Sequence, residues 1–178
     1  MRDLPVSWIY ARRHVTQRFG PDNASLTVQT RRTGAAAKAG HDLLLLVTRW
    51  EGELDLDGDP ASASLTADST SLRVQKGEGG MMPLGDEDKA NIHQTIDDEV
   101  LKRGDIAFRS TSIDGGRVQG DLTIGSATRP IAFDLDAFGG AVAATITVTQ
   151  SDFGMKPYSA LFGALKVHDD VVVSLQSR

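Results

Sequence analysis

The chain contains no cysteine. Disulfides, thiolate nucleophiles and thiolate-ligated zinc are therefore excluded together. It is also poor in aromatics, at 6% of residues, with two Trp, two Tyr and six Phe. No apolar run approaches the ~18 residues needed to cross a bilayer as a helix. The opening "MRDLPVSWIYARRHVTQRFG" lacks the apolar core and small-residue cleavage site of a secretory signal, so the expected compartment is cytoplasmic. There is no G-x-S-x-G elbow and no placed triad. The glycine clusters "KGEGG" and "DGGR" do not sit between a strand and a helix in a βαβ unit, so they are not phosphate loops. An excess of positive charge is missing too: the net charge of −5 argues against a nucleic-acid binder.

That charge is uneven. Residues 1–18 carry Arg2, Arg12, Arg13 and Arg18 against Asp3, which is +3 and leaves −8 for the remainder. We read residues 1–22 as a basic N-terminal extension and 23–178 as one domain, a length that permits a sizeable core. Such an arm is ordinarily a solvated tail; the alternative is transient contact with an acidic lipid surface or a phosphate.

What the chain does have is period-two alternation. "SLTVQTRR" sets Leu26 and Val28 against Thr27 and Gln29. "DLLLLVTRWEGELDLDG" is apolar on both faces in its first half, then alternates Trp50, Leu54 and Leu56 with Glu51, Glu53 and Asp55. Gly52 inside that run suggests a bend. "ASASLTADSTSLRVQ" gives one or two strands. Four further runs align apolar sets: Ile106 and Phe108; Val118, Leu122 and Ile124; Ile131, Phe133 and Leu135; Val142, Ala144, Ile146 and Val148. "KVHDDVVVSLQ" reads as the last strand. The one convincing helix is about 86–103, "DEDKANIHQTIDDEVLKR", with Asp86 as N-cap, acids in its first turn, an Ile92–Ile96–Val100 stripe and Gly104 as the stop.

The expected fold is all-β: an extended antiparallel barrel of about eight strands with one α-helical insertion. A meander of this length must close on itself or pack against a second sheet to hide its edges, and periodicity alone does not separate these. Barrels of this size either fill with side chains or hold one slender ligand. The many Ala, Gly, Thr, Ser and Val at strand positions favour a hollow one.

His41-Asp42 opens the leucine run, but neighbours on a strand point to opposite faces. The dipeptide is therefore no ready acid–base pair. Asp42 reads as a turn cap and His41 as a fixer of the strand entry or a headgroup contact. His93 and Asp97, four apart on the helix, read as an exposed ion pair, and no set of converging metal ligands is visible. In "TQSDFGMKPYSALFGALK", Gln150, Ser151, Asp152, Lys156 and Tyr158 are interleaved with Phe153, Met155, Leu161 and Phe162. Polar groups mixed with large apolar ones at a barrel end describe a ligand mouth or an ordinary packed loop.

These runs together resemble the YceI-like family. The marks are "IAFRSTSI", the "VQGDLTIGSATRPI" hairpin, and "SDFGM" followed by the closing "VHDDVVVSLQ" strand, within residues 24–176. The chain departs from many members in carrying "AGHD" where a His-Ser pair is common, and in lacking a signal peptide. The resemblance implies a lipocalin-like barrel with an isoprenoid or other amphipathic lipid chain in its lumen. Such a chain suits the composition: burial is worth ~0.8 kcal/mol per CH₂, roughly 3–4 kcal/mol per five-carbon unit. A few units outweigh the several kcal/mol that association costs, without any sharp polar motif.

The leading expectation is a non-catalytic lipid carrier with no cofactor. His41, Gln150, Asp152, Lys156 and Tyr158 would stand near the mouth, and Trp50, Phe108, Phe133, Ile146 and Phe153 would line the lumen. The alternatives are an enzyme at the barrel mouth, with His41 as general base oriented by Asp152 or Asp42, and a filled barrel acting as an interaction module. Homodimerisation through the strands or the helix is left open.

Overall fold

The computed structural model describes residues 15–178, so Arg2, Arg12, Arg13 and Asp3 of the basic segment lie outside the described residues. The alternating runs become strands in chain order. β1 (Gln17–Phe19) and β2 (Ala24–Thr30) are followed by the two-residue β3 (Arg32–Thr33). β4 (Asp42–Val47) and β5 (Trp50–Asp55) come next, then β6 (Ser62–Ala67) and β7 (Leu72–Glu78). After the helix come β8 (Ile106–Asp114), β9 (Arg117–Ile124), β10 (Ala127–Phe138) and β11 (Ala141–Thr149). β12 (Ser159–Ala160), β13 (Leu165–Val167) and β14 (Asp170–Ser177) complete the set.

Eleven of these segments form one antiparallel sheet, and its register shows why the count exceeds the expected eight or so. β1 and β2 face β5 and β4 as one interrupted strand, from Gln17 opposite Leu54 to Thr30 opposite Leu43. β6 and β7 face the same long strand from its other side, from Ser62 opposite Asp55 to Glu78 opposite Asp42. Three strands are thus each broken once. β6 pairs on to β8, the meander runs through β9, β10, β11 and β14, and β14 returns to β2. Counted as continuous lanes, the circuit has eight members, with β1 and β7 left as the two ends of the sheet. The sheet pairing also begins at Gln17, inside the segment read as an N-terminal extension.

The bend falls at Thr48 and Arg49, between β4 and β5, and not at Gly52. Ser71 holds that bend: its hydroxyl accepts from the Arg49 N–H (3.1 Å), and its carbonyl accepts from the Thr48 N–H and hydroxyl. Gly52 lies within the regular strand, where a Cβ would sit at ordinary contact distance, 3.6 Å from the Trp50 ring. Gly120 does serve close packing, since a Cβ there would come within 2.6 Å of the Phe108 ring. Leu44 and Leu46, expected to be buried, are only half-buried on the outer face, with Lys76 and Arg73 as cross-strand neighbours. The aliphatic stems of such residues cover apolar surface while their charges stay in water.

The helical insertion completes the wall. α1 (Asp86–Thr95) begins after Gly85, whose N–H donates to the Asp88 carboxylate (2.8 Å), so Gly85, and not Asp86, holds the N-cap position. The helix widens into a π-helical turn, Ile96–Val100, and ends where Lys102 and Arg103 adopt positive φ. It lies along the free side of β7, beyond the point where β6 hands pairing to β8. Ile92 and Ile96 pack against Leu45, Val47, Leu72 and their neighbours. One further irregularity is the seam between β10 and β11, which pair only from Leu135–Phe138 to Ala141–Ala144 before diverging. Phe153 packs beside this seam with Leu122, Val148 and Val171, near Ile131.

Candidate functional site

The lumen is open. A cavity of about 480 Å³ runs inside the barrel, within the ~300–1,000 Å³ usual for small-molecule sites. Its walls are the inward half of every alternating run: Leu26 and Val28; Leu43 and Leu45; Val118, Leu122 and Ile124; Ile131, Phe133 and Leu135; Val142, Ala144, Ile146 and Val148; Val171, Val173 and Leu175. The helix contributes Asn91, Ile92, Thr95, Ile96, Val100 and Leu101. Phe108 and Phe133 stack obliquely, with ring centroids 5.5 Å apart, in the range of a favourable aromatic pair.

Polar groups gather at one end, where β2 stops, β4 starts and β13 crosses on β3. Thr30, Arg32, His41, Gln150, Tyr158 and Lys166 all reach the cavity there. Arg32 donates to the carbonyls of Gly40 (2.7 Å) and Glu78 (3.2 Å). His41 Nε2 is 2.8 Å from the Met82 carbonyl. That loop fits because Gly79 and Gly80, at φ +76° and +75°, lie directly against the Arg32 guanidinium and the His41 ring, where any side chain would collide. Gln150 is buried and donates to the His168 carbonyl (2.9 Å). Thr30 is only 8% exposed, and its hydroxyl has no hydrogen-bond partner. Buried polar groups are normally paired, so this hydroxyl is an exception, on a residue that lines the cavity just inside the mouth.

The sequence candidates therefore divide. Phe108, Phe133, Ile146, His41, Gln150 and Tyr158 reach the cavity. Trp50 is buried but packs into the wall with Ala24, Leu45, Val47 and Val74. Phe153 packs beside the seam, Asp152 lies on the outer groove along it, and Lys156 is exposed away from the lumen. The reason is local: a 3-10 turn, Gln150–Phe153, follows β11 and breaks the alternation that aimed these side chains. The mouth residues that sequence reasoning missed are Thr30, Arg32 and Lys166. Lys166 alternates with Leu165 and Val167 on a three-residue strand, too short to be legible.

The catalytic arrangement does not assemble around His41. The Asp42 carboxylate accepts from the Arg32 N–H (2.7 Å), and Asp152 sits outside the wall. Among the described residues no three His, Cys, Asp or Glu groups converge as metal ligands.

His93 has a different place from the exposed ion pair expected of it. Its Nε2 accepts the Val74 N–H (2.9 Å), tying α1 to β7, while one Asp97 oxygen is buried without a partner. Burial, then the nearby Arg73, lowers the His93 pKa below its ordinary value of 6.5, against the opposing pull of Asp97. Above 6.5 the ring is neutral whether the chain is folded or unfolded, and the tie is intact. As pH falls below 6.5 towards the lowered folded value, the unfolded chain takes up the proton first and stability is lost. We expect Tm to drop between pH 7.5 and 5.5, with this part of the drop absent in His93→Gln; an equal drop in the variant would contradict the assignment.

Comparison with known proteins bears on the fold. The family model described as "YceI-like domain" matches residues 19–178. The chain is similar in structure to Burkholderia cenocepacia BcnA, known from its crystal structure, with a TM-score of 0.58 at 14% identity over 86% of this chain and 94% of that one. No curated protein matches it.

Proposed function

The chain belongs to the YceI-like family, and from that premise we propose that it binds and carries a single isoprenoid or similar amphipathic lipid chain, without catalysis. The observation that carries this reading is the hollow, largely apolar lumen with Thr30, Arg32, His41, Gln150, Tyr158 and Lys166 gathered at one end. An apolar chain lying along Val28, Ile146 and Phe133 would gain burial with every methylene. A polar head would meet Thr30, Gln150, His41 and Tyr158. The family's association with lipid ligands supports the same reading.

The test is organic extraction of the purified protein followed by mass spectrometry. We expect an apolar chain with one polar end, near one per protein. Recovery of none, together with no uptake of an added isoprenoid quinone, would overturn the proposal. Thr30 refines it. Thr30→Val conserves shape and removes an unpaired buried hydroxyl, so ligand-free stability should rise by ~1 kcal/mol while the ligand dissociates faster. A variant that holds ligand as well as the parent would show that the hydroxyl faces nothing.

A further inference from the structure

The mouth is built from three segments, 31–41, 79–85 and 154–168. Hydrogen bonds join them into one rim: Ala36 N–H to the Ala164 carbonyl, the β3–β13 pairing, and His41 to Met82. Two features set this rim apart. First, five of the eight large hydrophobic side chains exposed among the described residues lie on it: Met81, Met82, Tyr158, Leu161 and Phe162. Phe162 is as exposed as in an extended chain, at 113%. Leu161 and Phe162 hold φ of +51° and +54°, a left-handed conformation that ordinary side chains rarely adopt. The fold thus retains an unfavourable backbone to present two apolar side chains to solvent, which points to a surface they meet.

Second, the three segments carry Arg31, Arg32, Lys38, Lys156 and Lys166 and not one Asp or Glu, in a chain of net charge −5. Four of the carboxylates just beyond the rim are engaged elsewhere, whereas Asp86, Glu87 and Asp152 flank it exposed. Asp42 binds the Arg32 N–H, Glu78 pairs with Lys76, Asp169 accepts from Ser151, and Asp170 accepts from Thr149. Apolar tips among cations, surrounding the opening of an apolar cavity, are complementary to an anionic lipid interface. Tips of this kind bury themselves at the headgroup boundary, and the cations add attraction to lipid phosphates.

We propose that the barrel mouth docks on an anionic bilayer surface through Met81, Met82, Leu161 and Phe162, flanked by the rim cations. In that pose the cavity opens into the lipid phase, and a chain passes between bilayer and lumen without crossing water. Docking is a property of the rim and precedes any lumen ligand, so it is tested separately from the proposed lipid carriage.

The experiment is co-sedimentation with vesicles of phosphatidylcholine alone and of equal parts phosphatidylcholine and phosphatidylglycerol. The parent protein is compared with Leu161→Asn/Phe162→Asn and with Lys38→Glu/Lys156→Glu. Asparagine tolerates the left-handed conformation, so the first variant should fold, which Tm verifies. The expected result is binding to the anionic vesicles that weakens about tenfold or more in either variant and in high salt. Uptake of an isoprenoid quinone from solution should remain at parent level in both variants. No binding of the parent to anionic vesicles, or undiminished binding by the asparagine variant, would overturn the proposal. So would a parent that sediments as a dimer and an asparagine variant that sediments as a monomer, since the rim would then cover a second copy of the chain.

Discussion

Ala144→Trp should weaken lipid binding about 100-fold while leaving the barrel folded. Ala144 sits on β11 with Leu135 and Leu175 as cross-strand neighbours, and all three face the cavity. An indole added there projects into a space of about 480 Å³ that holds no side chain. It would displace roughly four methylenes of a bound chain, which at ~0.8 kcal/mol each amounts to about 3 kcal/mol, or a loss of about 100-fold in affinity. Stability should move the other way. Overpacking destabilises a filled core by ~1–3 kcal/mol, but here the ring enters a void and gains contacts that the void lacks. Titration with an isoprenoid quinone, beside thermal melting of the ligand-free protein, reads both. A variant that binds normally would mean that the chain does not lie in the lumen. One that melts far below the parent would mean that the lumen is narrower than described.

Trp50→Ala should produce the largest loss of stability. Trp50 is 7% exposed and packs at the bend where β4 becomes β5, against Ala24, Leu45, Val47, Leu72 and Val74. Truncating a buried Trp costs ~3–5 kcal/mol, a large share of the ~5–15 kcal/mol that stabilises a typical domain. At ~2–4 °C per kcal/mol for a chain of this size, Tm should fall by roughly 6–20 °C. Trp50→Phe separates packing from polarity. The Trp50 N–H is buried without a partner, at a cost of ~1–3 kcal/mol, so its removal offsets much of the lost area. We expect Phe to lie within ~1.5 kcal/mol of the parent. If Phe were as damaging as Ala, the indole N–H would have a partner that the packing does not show.

Which residues share a face was legible in the sequence wherever a strand is long and regular, although alternation alone did not say which face looks inward. Ile131–Phe133–Leu135 and Val142–Ala144–Ile146–Val148 alternate without interruption, and they face the cavity together. The Ile92–Ile96–Val100 stripe was legible for the same reason at helical spacing, although its widening into a π-turn was not. Legibility failed where the backbone leaves a regular period. Gly52 attracted the bend because glycine weakens a strand, but the break is at Thr48–Arg49, where Ser71 supplies hydrogen bonds from a distant segment. Gln150 through Lys156 could not be oriented because a 3-10 turn ends the alternation. His93 read as a surface residue because nothing local shows that the free side of β7 would need an acceptor. The mouth itself was half legible. Its mixed polar and apolar composition stood out, but Thr30, Arg32 and Lys166 join it only through the crossing of β3 and β13.

The most direct test is a crystal structure of the protein loaded with an isoprenoid quinone. The account predicts a continuous chain along Val28, Phe133 and Ile146, with its polar ring beside Thr30 and Gln150. A ring at the opposite end of the barrel, or a ligand lying outside the wall with the lumen unoccupied, would contradict it.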